Sequence, residues 1–211
     1  MSNENAATDI RVAALYVETG GVYYGLPDVD PWDEQRDARL YAGPYPVVAH
    51  PPCNKWSPLA YINQRRIPGY RLGDDGGCFK AALTSVCKWG GVLEHPAESV
   101  AWRQFGLPRP IREVWVAVLS GVGSGWVTEV SQSAYGHRAR KRTWLYYVGP
   151  EPPDLDWSEP ETDAIVSGFL HRTGTDESRR VRPREASATP PAFRDVLLDM
   201  ARSAAKDRVA A

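Results

Sequence analysis

The chain is sparing with the residues that staple or export a protein. It has only three cysteines and two methionines among 211 residues. Cys53, Cys78 and Cys87 form an odd set without the spacing of a disulfide framework, which points to a reducing compartment. The N-terminal MSNENAATDI has neither the apolar core nor the basic flank of a signal peptide. Nowhere does a run of about 18 apolar residues occur. Export and membrane spanning are therefore not expected, and the cytosol is. Charge of one sign is lacking too: the net charge of -1 provides no field to draw in a polyanion. Nucleic-acid binding would have to come from local clusters, such as HRARKR at 137–142 or Arg179, Arg180, Arg182 and Arg184.

What is present is enough to fold. Hydrophobic residues make up 43% and aromatics 10%, while 18 prolines and 18 glycines predict long connections. The length suits one domain over 10–211, with 1–9 as a disordered tail. VAALYV (12–17), PVVAH (46–50) and GVLEHP (91–96) read as short buried strands. DEQRDARLY (33–41) predicts a short helix capped by Asp30 or Asp33, and Phe79, Leu83, Val86 and Cys87 fall at helical spacing before Gly90-Gly91. A helix is also expected over 98–105, and a closing helix over 189–205. WVAVL, GWVTEV and TWLYYV supply further strands, the first of them alternatively a short helix. Most of 149–190 reads as loop around an apolar island at 164–170. Interleaved strands and helices predict an open, largely parallel sheet with ligand sites beyond the C-terminal strand ends.

Cys53 and Glu94 both fall at such ends. HPPCNKW carries its cysteine on a loop stiffened by Pro51 and Pro52, which holds the sulfur in place for attack. A thiolate forms more readily beside a cation, for which Lys55 and Arg65 are the candidates in sequence. The bland alternative is an ordinary buried thiol. His50, Cys53, Cys78, Cys87 and His95 offer atom types that suit zinc, but no Cys-x-x-Cys or His-x-Glu occurs, so no metal is expected. His50 and His95 read as structural residues oriented by backbone hydrogen bonds.

VVAHPPCNKWS (47–57), GVLEHP (91–96) and YGHRARKRTWLYYVG (135–149) come in the order of three motifs of the DNA cytosine-5 methyltransferases. The first resembles their Pro-Cys loop, in the HPPC form of short phage-type members. The second is similar to their glutamate strand, and the third to their Tyr-Gly and Arg-x-Arg segment. The resemblance implies a Rossmann-like, methyltransferase-type open α/β sheet. Cys53 would add to carbon 6 of a pyrimidine so that carbon 5 takes up a methyl group. Glu94 would protonate ring nitrogen 3, and Arg140 and Arg142, aligned after one inserted residue, would position the base. Pro51, Pro52, Asn54, Trp56 and His95 would border the substrate, with Trp56, Tyr61 or Trp102 available to stack on it.

The resemblance further implies S-adenosylmethionine as donor, with Gly20 and Gly21 as the turn and Glu18 and Asp30 (or Asp28) as contacts. Between Val17 and Val47, however, there is no room for two further strands and helices, so the cofactor half is expected to be truncated. Residues 150–188 are too few for a large target-recognition domain. DNA, opened DNA or a pyrimidine nucleotide is the expected substrate, with a protein partner supplying specificity, in a bacterial or phage-infected cytosol. A pocket lined by Glu18, Pro51, Cys53 and Glu94 is anticipated. Two alternatives stay open: the same cysteine chemistry with another electrophile, and an inactive DNA-binding module.

Overall fold

A strand buried on both faces needs apolar side chains at every position, and Val12–Leu15 (β1), Val47–Ala49 (β3) and most of Gly91–Pro96 (β4) meet that demand. The computed structural model describes residues 10–120, 123–164, 166 and 181–210. The expected tail at 1–9, most of the island at 164–170, and Arg179 and Arg180 lie outside them. Val29–Trp32 (β2), Val116–Ser120 (β5), Gly123–Ser131 (β6) and Arg142–Val148 (β7) complete a seven-stranded sheet in the order β2-β1-β3-β4-β7-β6-β5.

β2, β1, β3 and β4 run parallel, whereas β7, β6 and β5 are joined by antiparallel pairings. The fold is therefore mixed α/β with an open sheet, and the expectation of a largely parallel sheet is corrected for its β5–β7 half. β5 is a strand and not a helix. β2 carries Pro31, which lacks an amide hydrogen, and it lies on the sheet edge where one side needs no donor.

Alternation along the strands divides the core into two layers. Ala13, Leu15, Val47, Ala49 and Leu93 pack under the helix Cys78–Trp89 (α2) and the short helix Val100–Gln104 (α3). Val12, Ala14, Val48 and Val92 pack against the closing helix Pro191–Ala210 (α5). By the same alternation, His95 stands on the α2 and α3 face beside Phe79 and Trp102, while Glu94 stands on the other.

Two helices lie outside the sheet layers. Ala60–Arg66 (α1) buries only Ala60, and Pro183–Ser187 (α4) buries no residue. The expected helix over 33–41 is instead two 3-10 turns, Glu34–Arg36 and Ala38–Leu40, because Asp37 adopts φ 48° between them. Asp33 caps the first turn, accepting from the amides of Gln35 and Arg36. Among the described residues, no helix is long and apolar enough to cross a membrane.

Candidate functional site

The Pro-Cys loop leaves the C-terminal end of β3 and is held in place through Trp56. The Trp56 amide donates to the Cys53 carbonyl at 2.9 Å, closing a turn. Its indole, 4% exposed, packs on Phe79 and Phe105 and donates to Asp75 at 2.8 Å. Asp75 in turn accepts from the amides of Gly77 and Phe79 at the start of α2. Trp56 is thus the anchor of the cysteine loop, and the expectation that it stacks on a base is corrected. Trp102, 1% exposed, is likewise core. Tyr61 is exposed and accepts a hydrogen bond from Arg103. Pro51 is buried, while Pro52 and Asn54 are exposed.

Cys53 is exposed at a cleft of about 880 Å³, within the range of small-ligand sites. One wall is the Cys53–Leu59 loop with Asn63; the floor is His95, Pro96, Ala97 and Ser99. Arg140, Lys141 and Arg142, leading into β7, form the second wall, and Ala164, Pro183, Ala186 and Ser187 close the far side. The structure thus brings Cys53, Trp56, His95, Arg140 and Arg142 to one cavity. Glu18, Pro51 and Glu94 do not line it, so the pocket anticipated from sequence is corrected to one displaced toward β7 and α4.

Glu94 sits behind the cleft, 7% exposed. His50 Nδ1 donates to its Oε2 at 3.0 Å, and Gln132 Nε2 donates to its Oε1 at 3.1 Å. The Tyr23 hydroxyl lies 2.8 Å from His50 Nε2, so Tyr23, His50 and Glu94 form one chain of contacts. His50 is therefore oriented by side chains and not, as expected, by backbone alone. Burial would raise the Glu94 carboxyl, but the His50 hydrogen bond and the charges of Lys141, His50 and His95 outweigh it and bring the pKa to about 2. The resting carboxylate is an acceptor.

His95 is 1% exposed, and neither ring nitrogen makes a well-formed hydrogen bond. The carbonyl groups of Pro51 and Pro52 nonetheless lie near enough to favour its charged form. Burial dominates and lowers its pKa to about 4, against the opposing charge of Glu94. As pH falls from about 6.5 toward 4, the unfolded chain takes a proton that the native state refuses, so stability falls by about 3 kcal/mol over that window. His95→Leu is expected to remove this acid-sensitive component. Urea midpoints measured from pH 7 to 4 check it, and an unchanged slope would contradict the cause given.

The arginines are committed to carboxylates. Arg142 donates from Nε and Nη2 to the buried Glu129 at 2.7 and 2.8 Å, and reaches Glu98 at 3.5 Å. Arg140 pairs with Glu159, which also takes Arg112 at 3.1 Å. Glu159, in the segment WSEPETD (157–163), thereby holds Arg140 at the cleft. Arg138 pairs with Glu185, so all three arginines of the 137–142 cluster face carboxylates of their own chain and the cluster is not an open basic patch. Lys141, missed in sequence between two arginines, is buried and donates to the carbonyls of Ser187 and Ala188 at 3.3 and 2.9 Å.

Although Cys53 reaches the surface, the protein packed round its thiol and the Glu94 charge raise it above its ordinary range, and Lys141 opposes them. The cation acting on the sulfur is thus Lys141 and not Lys55, which lies 4.1 Å from the Tyr70 ring centroid.

The residues expected to hold a methyl donor are engaged elsewhere. Gly20 adopts φ 68° in a turn in which the Gly21 amide donates to the Glu18 carbonyl at 2.9 Å. The Glu18 carboxylate pairs with Arg184 at 2.9 Å. Asp30 accepts from Trp32 Nε1 at 2.9 Å and Arg36 Nη1 at 2.6 Å, taking up both its oxygens. With Asp30 held by Trp32 and Arg36, and Glu18 turned to a surface pair with Arg184, these two offer no free carboxylate to an adenosyl donor, and no step is derived through one. Among the described residues, no group of three or more His, Cys, Asp or Glu side chains is placed to hold a metal ion. A scan against models of protein families finds no match to this chain, and a search of the curated proteins finds none either.

Proposed function

We propose that this chain modifies a pyrimidine of DNA, or of a nucleotide, at ring carbon 5, with chemistry like that of the DNA cytosine-5 methyltransferases. Cys53 adds as thiolate to carbon 6, the added electron density makes carbon 5 nucleophilic, and an electrophilic group is taken up there. The electrophile's leaving group departs with its bonding pair, water takes the carbon 5 proton, and elimination expels the cysteine as thiolate and restores the ring. In this reading Arg140 and Arg142 frame the base, and Glu94, behind the cleft on β4, engages ring nitrogen 3 of a base that penetrates beyond the cleft floor. The observation that carries this is the cleft: it joins Cys53, at the end of β3, to the Arg140–Arg142 lead into β7, while Glu94 on neighbouring β4 acts on the thiol through its charge. A base inside a duplex cannot reach such a cleft, so single-stranded or extruded pyrimidine is the substrate form.

The engaged Glu18 and Asp30 favour, within the same chemistry, an electrophile other than S-adenosylmethionine. Thiolate addition is testable without knowing the donor, because protonation at carbon 5 of the adduct followed by elimination releases a carbon 5 hydrogen to water. Single-stranded oligonucleotides carrying [5-³H]cytosine or [5-³H]uracil are expected to release tritium, with Cys53→Ser reducing release to background. Oligonucleotides with 5-fluorinated pyrimidines should then trap a covalent adduct once the right donor is present. Absence of release from either base, with the protein folded, would favour an inactive DNA-binding module.

A further inference from the structure

Three cations line the cleft, and their commitments differ. Arg140 is paired with Glu159, and Arg142 with Glu129 and Glu98. Lys141 makes no ion pair among the described residues; its ammonium is held only by the carbonyl oxygens of Ser187 and Ala188 at the end of α4. A lysine is rarely buried without a carboxylate, and carbonyl dipoles do not neutralise its charge. With two of its three N–H bonds so used, the third is left for the cleft.

Resting on the reading of Cys53 as nucleophile, we propose that Lys141 is the counter-charge of the Cys53 thiolate, a positioning residue whose ammonium, docked on α4, sets how readily that sulfur gives up its proton.

The surroundings favour this assignment. Glu94 from β4 and Lys141 from the segment before β7 act on the thiol through their charges, and His95, Arg140 and Arg142 line the same cleft. On α4, Glu185 is taken by Arg138 and Arg184 by Glu18. His95 is held neutral by burial, although both its ring nitrogens lie without a well-formed partner against the same cleft. Among the described residues, Lys141 is thus the cleft cation without a hydrogen-bonded carboxylate, and its charge acts on both Glu94 and the Cys53 sulfur, which its protein surroundings and Glu94 keep protonated. The thiol proton passes to solvent as the thiolate forms.

Alkylation of Cys53 by iodoacetamide, followed across pH by mass spectrometry of its peptide, reads the thiol directly. Lys141→Gln keeps a donor for the Ser187 and Ala188 carbonyls but removes the charge, so it separates charge from anchorage. The midpoint is expected to rise by about one pH unit, about a tenfold slower alkylation below it, in both Lys141→Gln and Lys141→Met. Lys141→Arg should restore the wild-type profile, and Glu94→Gln should move it down by a similar amount. An unchanged midpoint in Lys141→Gln overturns the proposal, whatever happens to Lys141→Met. No pyrimidine enters this assay, so a Lys141-dependent midpoint without tritium release would reject the pyrimidine chemistry alone, and the converse pattern would reject this role alone.

Discussion

Glu94→Gln is expected to lower the free energy of unfolding by about 3 kcal/mol near neutral pH, and to reduce tritium release from a pyrimidine by about a hundredfold or more. The stability effect arises from linkage. The carboxyl is held at about 2 in the native state, below its ordinary value, so its contribution is complete above about pH 4.5 and is lost as pH falls through 2. Wild type and variant should therefore differ fully at pH 7 and converge in strong acid, as urea midpoints across that range would show. This window lies below the one assigned to His95, which allows the two neighbours on β4 to be told apart. An equal difference at pH 7 and pH 2 would refute the electrostatic origin. The loss of activity has a separate cause, since an ionised Glu94 accepts from a protonated ring nitrogen 3 and offsets the charge there, which a neutral glutamine cannot do.

Gly91→Ala is expected to cost about 4 kcal/mol or more. Gly91 opens β4 with φ 114°, and a methyl group there would lie 2.0 Å from the Val47 carbonyl oxygen and 2.7 Å from its nitrogen. Those atoms are backbone of β3, so relief requires the two strands to separate. They are also the strands that carry Cys53 and Glu94, so the site should fail with the fold. Gly20→Ala is the control: its φ is 68° but nothing lies within 4 Å of the added atom, and only the conformational cost of about 1 kcal/mol should appear. Equal midpoints for the two variants in urea would show that close approach, as opposed to positive φ, is not what makes Gly91 necessary.

Legibility in the sequence followed the range of the forces involved. β1, β3 and β4 could be read because a strand buried on both faces is an unbroken apolar run, and α2 because its buried residues recur with the helical period. α5 was readable from the stripe through Phe193, Val196, Leu197 and Met200, together with an early proline. β2 escaped notice because Val29–Trp32 mixes polar residues with Pro31, a pattern tolerated only on an edge. α1 escaped because it has almost no buried face, and a helix without a partner leaves no periodicity in apolar residues. The 33–41 segment had helical composition and a usable cap, but the left-handed backbone at Asp37 broke it into two turns.

The site divides along the same line. Cys53 on a loop stiffened by prolines, and Glu94 at the end of a short strand, were identifiable because rigidity and strand ends are properties of adjacent residues. The partner of Glu94 was not, since His50 precedes it by 44 positions and meets it only because β3 and β4 are neighbours. Nor could the sequence tell which basic residue remains uncompensated. Arg140 and Arg142 looked like the free cations, yet Glu159 and Glu129 claim them. Lys141 looked incidental, yet it is the one that reaches the interior.

By itself, then, the chain's primary structure determined a mixed α/β protein with a stiff cysteine loop and a carboxylate at the next parallel strand end, because steric restriction by proline and burial of apolar runs act between residues close in sequence. Only the tertiary structure decided the sheet order, the opposite faces of Glu94 and His95, and which charges cancel. Ion pairing and desolvation depend on distance through space, and the groups that meet at this cleft come from β3, β4, β7 and the segment before α5, which are far apart along the chain.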